Sequence, residues 1–94
     1  MNPDEAKITD MIAVCDTPNL NARLGYEIDL KTNKVRYVLK THFKYLKNEK
    51  TPNGTTSEVR FAKYEGARSV FDSLPAIAER DAAEWKSEAV ANEL

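Results

Sequence analysis

The sequence predicts a small α+β fold: a three-stranded antiparallel meander flanked by an N-terminal helix and a C-terminal helix kinked or split at Pro75. Three observations lead there. Apolar residues near the start recur at helical spacing, those between residues 24 and 61 recur at every second position, and those from residue 67 return to helical spacing. A chain of 94 residues, 41% apolar and 31% charged, suits one domain, 1–94, built on a single core.

Each element has its own signals. Asn2 is a suitable cap, Pro3 suits a first helical position, and Asp4 and Glu5 complement the positive end of a helix dipole. Ile8, Met11, Ile12 and Cys15 then make one apolar stripe, which Thr17-Pro18-Asn19 ends. From Leu24 the period is two, with Leu24, Tyr26, Ile28 and Leu30 alternating with Gly25, Glu27 and Asp29. Lys31-Thr32-Asn33-Lys34 reads as a hairpin connection in which Asn33 tolerates a left-handed backbone. The next strand sets Val35, Tyr37, Leu39, Thr41, Phe43 and Tyr45 on one face. If Leu30 faces Val35, then Asp29 faces Arg36. Lys47 to Gly54 is a loop, and Thr55 to Lys63 is the third strand, with Val59 and Phe61 inward. The C-terminal helical stripe runs Ala67, Val70, Phe71, Leu74, then past Pro75 through Ile77, Ala78, Ala82, Trp85 and Ala89.

Charge is segregated along the chain. Residues 1–30 carry a net of about −4, residues 31–68 about +7 and residues 69–94 about −4, so the formal −1 conceals a bipolar molecule. Such a molecule offers one anion-attracting surface and one or two cation-attracting ones. Alternation places Arg36, Lys40, His42 and Lys44 on the outer face of the sheet, with Arg60 beside them and Lys47 and Lys50 extending the patch into the loop. Tyr45, at the end of its strand, and Trp85, the only tryptophan, are the candidate aromatic anchors. The acidic helix face of Glu79, Asp81, Glu84, Glu88 and Glu93 is a second candidate surface, suited to a basic groove.

Enzyme signals are poor. His42 is the sole histidine and Cys15 the sole cysteine, so neither a nucleophile–base pair nor an internal zinc site can be assembled, and no cofactor is implied. Three isolated glycines make no phosphate-cradling loop. A single cysteine favours a reducing compartment, and the acidic start lacks the features of a secretory signal. A cytoplasmic protein is expected, in a host cytoplasm if the gene is viral, and no membrane association.

The segment Tyr64-Glu65-Gly66-Ala67-Arg68 opens the C-terminal helix, and the predicted α-β-β-β-α order resembles that of double-stranded-RNA-binding domains. That family has a glycine-rich turn and a run of lysines where this chain has one glycine and one arginine. Phe61-Ala62-Lys63-Tyr64-Glu65-Gly66-Ala67 is similar to the aromatic-ended strand and Ala-bearing helix of the DNA-binding domains at the N-termini of phage-type integrases. Both resemblances imply a nucleic-acid partner for the basic face.

The residues themselves favour a non-enzymatic binding protein that docks on an acidic protein surface through Arg36, Lys40, Lys44, Lys47, Lys50, Arg60, Tyr45 and Trp85. An accessory protein of a phage or mobile element that inhibits a host defence factor fits this description. Nucleic-acid binding by the same face is the alternative, and a homodimeric assembly role the third.

Overall fold

Four strands and one helix make up the computed structural model, which describes residues 7–93, with side chains described from 7 to 86. Strands β1 (Lys7–Asp16), β2 (Leu20–Asp29), β3 (Lys34–Phe43) and β4 (Thr55–Phe61) pair antiparallel in the order β1-β2-β3-β4, and α1 (Tyr64–Glu93) follows. The three-stranded sheet with an N-terminal helix is therefore corrected. Residues 7–16 are a strand, and the sheet has four members. The proposed cap and first turn, Asn2 to Glu5, lie outside the described residues.

The first apolar stripe does not lie on one face of the strand. The β1–β2 register slips between Met11 and Ala13, so Ile12 is the extra residue of a β-bulge. Ahead of the bulge Ile8 and Asp10 face one side of the sheet; beyond it Ala13 and Cys15 do. The residues that share the helix side fall at i, i+2, i+5 and i+7 and include Asp10, while Met11 faces the open side, so the i, i+3, i+4, i+7 spacing of Ile8, Met11, Ile12 and Cys15 is drawn from both faces of the strand. The β-branched Ile8, Thr9, Ile12 and Val14 fit the extended backbone better. Thr17-Pro18-Asn19, read as a helix stop, belongs to the β1–β2 turn closed by Leu20: Thr17 N–H donates to Leu20 C=O at 2.7 Å, and Leu20 N–H donates back at 3.3 Å.

The β2–β3 hairpin forms with its register two residues from the expected one. Ile28 faces Val35 and Glu27 faces Arg36, while Asp29 closes the turn opposite Lys34. A shift of two preserves the faces, so opposite charges still meet across the strands. Asn33 adopts the left-handed backbone at φ 57°, with its N–H on Asp29 C=O at 2.7 Å.

One face of the sheet is covered by α1, which lies mainly over β2 and β3. Ala67, Phe71, Leu74, Ala78 and Ala82 form its buried stripe and pack on Leu20, Ala22, Leu24 and Leu39. The alanines let the helix axis approach the sheet closely. The buried leucines and Phe71 each contribute roughly 1.5–3 kcal/mol. Pro75 neither splits nor ends the helix, which runs unbroken for 30 residues. Its missing N–H deprives Phe71 C=O of the usual donor, at a cost that burial of the flanking Leu74 and Ala78 offsets. Val70 and Ile77, expected in the stripe, are exposed, and Val59 at the β4 edge is 47% exposed although it points to the helix side.

The molecule is elongated, 57 × 28 × 17 Å. Ten-residue strands span about 33 Å; a 30-residue helix spans about 45 Å. Tyr64 stacks edge-on against Tyr37, and Asp81 bonds Tyr45, just past the end of β3. The remainder of α1 therefore projects past the end of the sheet. No helix among the described residues is long and apolar enough to cross a membrane.

Candidate binding surfaces

Seven of the eight anticipated contact residues divide between two places. Arg36, Lys40 and Arg60 lie on the open face of the sheet, opposite α1, as the register requires. Lys44, Tyr45, Lys47 and Trp85 gather at the far end, where the projecting helix meets the β3–β4 loop. Lys50 is exposed at the tip of that loop and joins neither group.

On the open face, β2 supplies a floor. Gly25 sits between Met11 on β1 and Val38 on β3, and the absence of a side chain there leaves a shallow depression of about 250 Å3. Arg23, Lys40 and Arg60 stand around it, interleaved with Glu27 and Glu58. The Arg60 guanidinium donates from Nε to Glu27 at 2.9 Å and from Nη1 to Glu58 at 3.0 Å, and Lys40 lies 3.6 Å from Glu58. The Arg60 hydrogen bond holds the Glu27 carboxyl below the usual range, and the same two carboxylates raise Arg60. Alternation places six cations on this face (Lys7, Arg23, Lys34, Arg36, Lys40 and Arg60) against four carboxylates (Asp16, Glu27, Asp29 and Glu58). Much of the positive charge expected of the face is thus spent within it.

His42, placed by the sequence among these cations, has a structural task. Its Nε2–H donates to Asn53 C=O at 2.8 Å, leaving Nδ1 to accept from the Thr56 hydroxyl at 2.9 Å. The ring pins the β3–β4 loop to the start of β4. Gly54 completes the clamp: its φ of 115° and its close approach to Phe43 C=O and the His42 ring leave no room for a side chain.

The second place is an open cleft of about 610 Å3 between Pro18 and Asn19, the β3–β4 loop and α1. Tyr45 forms its inner wall. Burial first, and then the hydrogen bond to Asp81, push the Tyr45 hydroxyl up to about 12, so it stays protonated and donates. Trp85 stands at the rim, 46% exposed, next to Lys86 and facing Lys44 and Lys47. Lys44 is anchored, its Nζ 2.7 Å from Asp16 and 2.8 Å from Thr17 C=O, and that bond lowers the Asp16 carboxyl. Lys47 and Lys86 have no ion pair among the described residues.

Met11, Arg23 and Gly25 at the depression, and Pro18, Asn19 and Lys86 at the cleft, were not anticipated from sequence. Gly25 had a signal: an isolated glycine inside an alternating strand marks a close backbone approach. The acidic helix face extends to Glu88 and Glu93, whose side chains lie outside the described residues. Cys15, expected on a helix, is half-buried on β1 against the core.

Comparison with protein-family models, with curated proteins and with solved structures finds no match. The resemblance in element order to double-stranded-RNA-binding domains lapses with the N-terminal helix, since the order among the described residues is β-β-β-β-α; the strand-to-helix step from Phe61 to Ala67, on which the integrase-type resemblance rests, is present, with β4 ending at Phe61 and α1 starting at Tyr64.

Proposed function

We propose that this protein is a non-enzymatic binding module that docks on an acidic segment of a protein partner through the cleft at the end of the sheet. The observation that supports this reading is the placement of Trp85: a tryptophan nearly half exposed, on a helix projecting beyond the sheet, flanked by Lys47 and Lys86. Tryptophans at concave sites with cationic rims are the residues on which interface energy concentrates. By occupying an acidic surface the module acts as an adaptor or an inhibitor. The open face of the sheet is the weaker candidate, because Arg60 and Lys40 are already matched by Glu27 and Glu58, which a phosphate backbone would have to displace.

The test is an affinity capture with nuclease present, at roughly 150 and 500 mM salt. Wild type is compared with Trp85→Ala and Arg36→Glu. A protein retained by wild type and Arg36→Glu but lost with Trp85→Ala is the expected result, with affinity for the purified partner falling about 30-fold or more. Retention by Trp85→Ala with loss by Arg36→Glu would move the site to the open sheet face and overturn the reading.

A further inference from the structure

Strand β1 forms one edge of the sheet, and its outer side pairs with no strand among the described residues. Edges of this length are normally blunted by charge, proline or shortness. The opposite edge follows that rule: β4 has seven residues and carries Glu58 and Arg60. The β1 edge carries Lys7, Asp10 and Asp16 and a bulge, yet these leave its apolar residues open. It runs for ten residues without proline, and Ile8, Met11, Ile12 and Val14 are each 39–53% exposed on it. Four exposed apolar side chains on an unpaired strand are a template for another strand.

The strand's own pattern identifies the occupant. Laid antiparallel against a second copy of itself about a two-fold axis between Met11 and Ile12, β1 sets Lys7 opposite Asp16, Ile8 opposite Cys15, Thr9 opposite Val14 and Asp10 opposite Ala13. Both ends then match in charge, and all ten residues are used. In a regular strand this register is forbidden, because it opposes residues that face opposite sides of the sheet. The bulge removes the prohibition. Lys7, Thr9, Val14 and Asp16 all lie on the open face, and Ile8, Asp10, Ala13 and Cys15 all lie on the helix side. The one-residue slip at Ile12 thus makes the strand self-complementary in facing as well as in charge. We propose that the protein forms a symmetric dimer by β1–β1 pairing, joining two four-stranded sheets into one continuous eight-stranded sheet. The pairing shares Asp16 with the anchor of Lys44 at the cleft, so Lys7→Asp and Val14→Lys, which leave Lys44 anchored, are the variants that distinguish the two proposals.

The register is testable by charge reversal. Purified wild-type protein should sediment with a concentration-dependent mass approaching twice that of the chain. Lys7→Asp alone sets two carboxylates together at each end of the pairing, and Asp16→Lys alone sets two cations together. Each variant should dissociate at least tenfold more readily. An equimolar mixture of the two restores Lys–Asp at both ends and should recover the dimer as a heterodimer. Val14→Lys, which adds a charge at the strand's exposed edge, should give a monomer with unchanged circular dichroism. As a second readout, Ile8→Cys should form an intermolecular disulfide with Cys15 of the other copy under mild oxidation, whereas Thr9→Cys, on the opposite face, should not. A wild-type chain that remains monomeric at high concentration would overturn the proposal and leave the edge to a strand of another protein. A dimer indifferent to Val14→Lys and to both charge reversals would place the interface elsewhere and overturn it equally.

Discussion

Gly25→Ala tests the geometry of the β1–β2 pair directly. A Cβ at this position would lie 2.6 Å from the Asp10 carbonyl oxygen. Ordinary van der Waals contact for a Cβ begins at about 3.4 Å. The obstacle is backbone, so no side-chain rotation relieves it. β1 must move outward by several tenths of an ångström, against a ladder that holds it on both sides of the bulge. Forcing an extra methyl into a filled site costs about 1–3 kcal/mol, from which the usual strand preference for alanine over glycine recovers about 0.5–1 kcal/mol. A net loss of about 1–2 kcal/mol lowers the urea midpoint by about 1 M if the slope is near 1–1.5 kcal/mol/M. Gly66→Ala is the internal control. Its Cβ would meet only Phe61 Cδ1, at an ordinary 3.7 Å, in the first turn of α1, so the same chemical change should raise stability by about 0.5 kcal/mol. Equilibrium urea unfolding of the three proteins by circular dichroism reads both signs. A Gly25→Ala midpoint equal to or above wild type would refute the close approach of Asp10, and with it the position of the bulge.

Pro75→Ala restores the missing hydrogen bond of α1 and should stabilise the fold by about 1–3 kcal/mol in the same assay; a loss would mean the half-buried ring contributes more by packing than it costs the helix. Tyr45 is held protonated, its folded value of about 12 lying above the ordinary 10, so its contribution is complete below pH 10 and is lost as pH rises toward 12. The wild-type decline over that window should be shallower in Tyr45→Phe. Arg60→Ala should let the Glu27 carboxyl rise toward the ordinary range in an NMR titration. Because Glu27 is lowered in the folded state, its contribution is present above the unfolded value and lost as pH falls through the folded one. The variant should therefore lose less stability on acidification than wild type. Ala78→Leu, at a fully buried helix–sheet contact, should destabilise by about 1–3 kcal/mol, and a neutral result would indicate a looser interface than the packing implies.

From Leu24 to Phe61 the strands were legible because strict alternation has one reading when one face is buried, whereas β2 begins earlier, at Leu20. Tyr37 and Leu39 point to the helix, and Arg36 and Lys40 point away, as their parity demands. The end of the β2–β3 turn was not legible, since Asp29–Arg36 and Asp29–Lys34 are equally good charge pairs and only the turn geometry at Asn33 chooses between them. β1 was misread because its apolar residues occupy both faces of an edge strand and so do not alternate, and because the bulge at Ile12 leaves no residue signature. Pro75 misled in the opposite direction. Its local penalty is real, but the sheet rewards a continuous helix on both sides of it. At the candidate sites, charge blocks located the cations correctly in sequence, yet pairing across strands decides which of them are spent. That depends on Glu27 and Glu58 arriving from two different strands beside Arg60, which no single segment reveals.

The order of elements along the chain has a consequence for how the protein comes to exist. All four strands precede the helix that covers them, and each pairs with its sequence neighbour, so the sheet can zip together as it emerges from the ribosome. Leu20, Ala22, Leu24 and Leu39 then face water until α1 has been translated as far as Ala82. During that interval the nascent chain is a naked sheet with one apolar face and an open first edge, the form in which strands add to strangers. A pause in synthesis ahead of Tyr64 would prolong that exposure. The yield of soluble protein should therefore respond more to translation speed across the start of α1 than to any substitution on the finished molecule's surface.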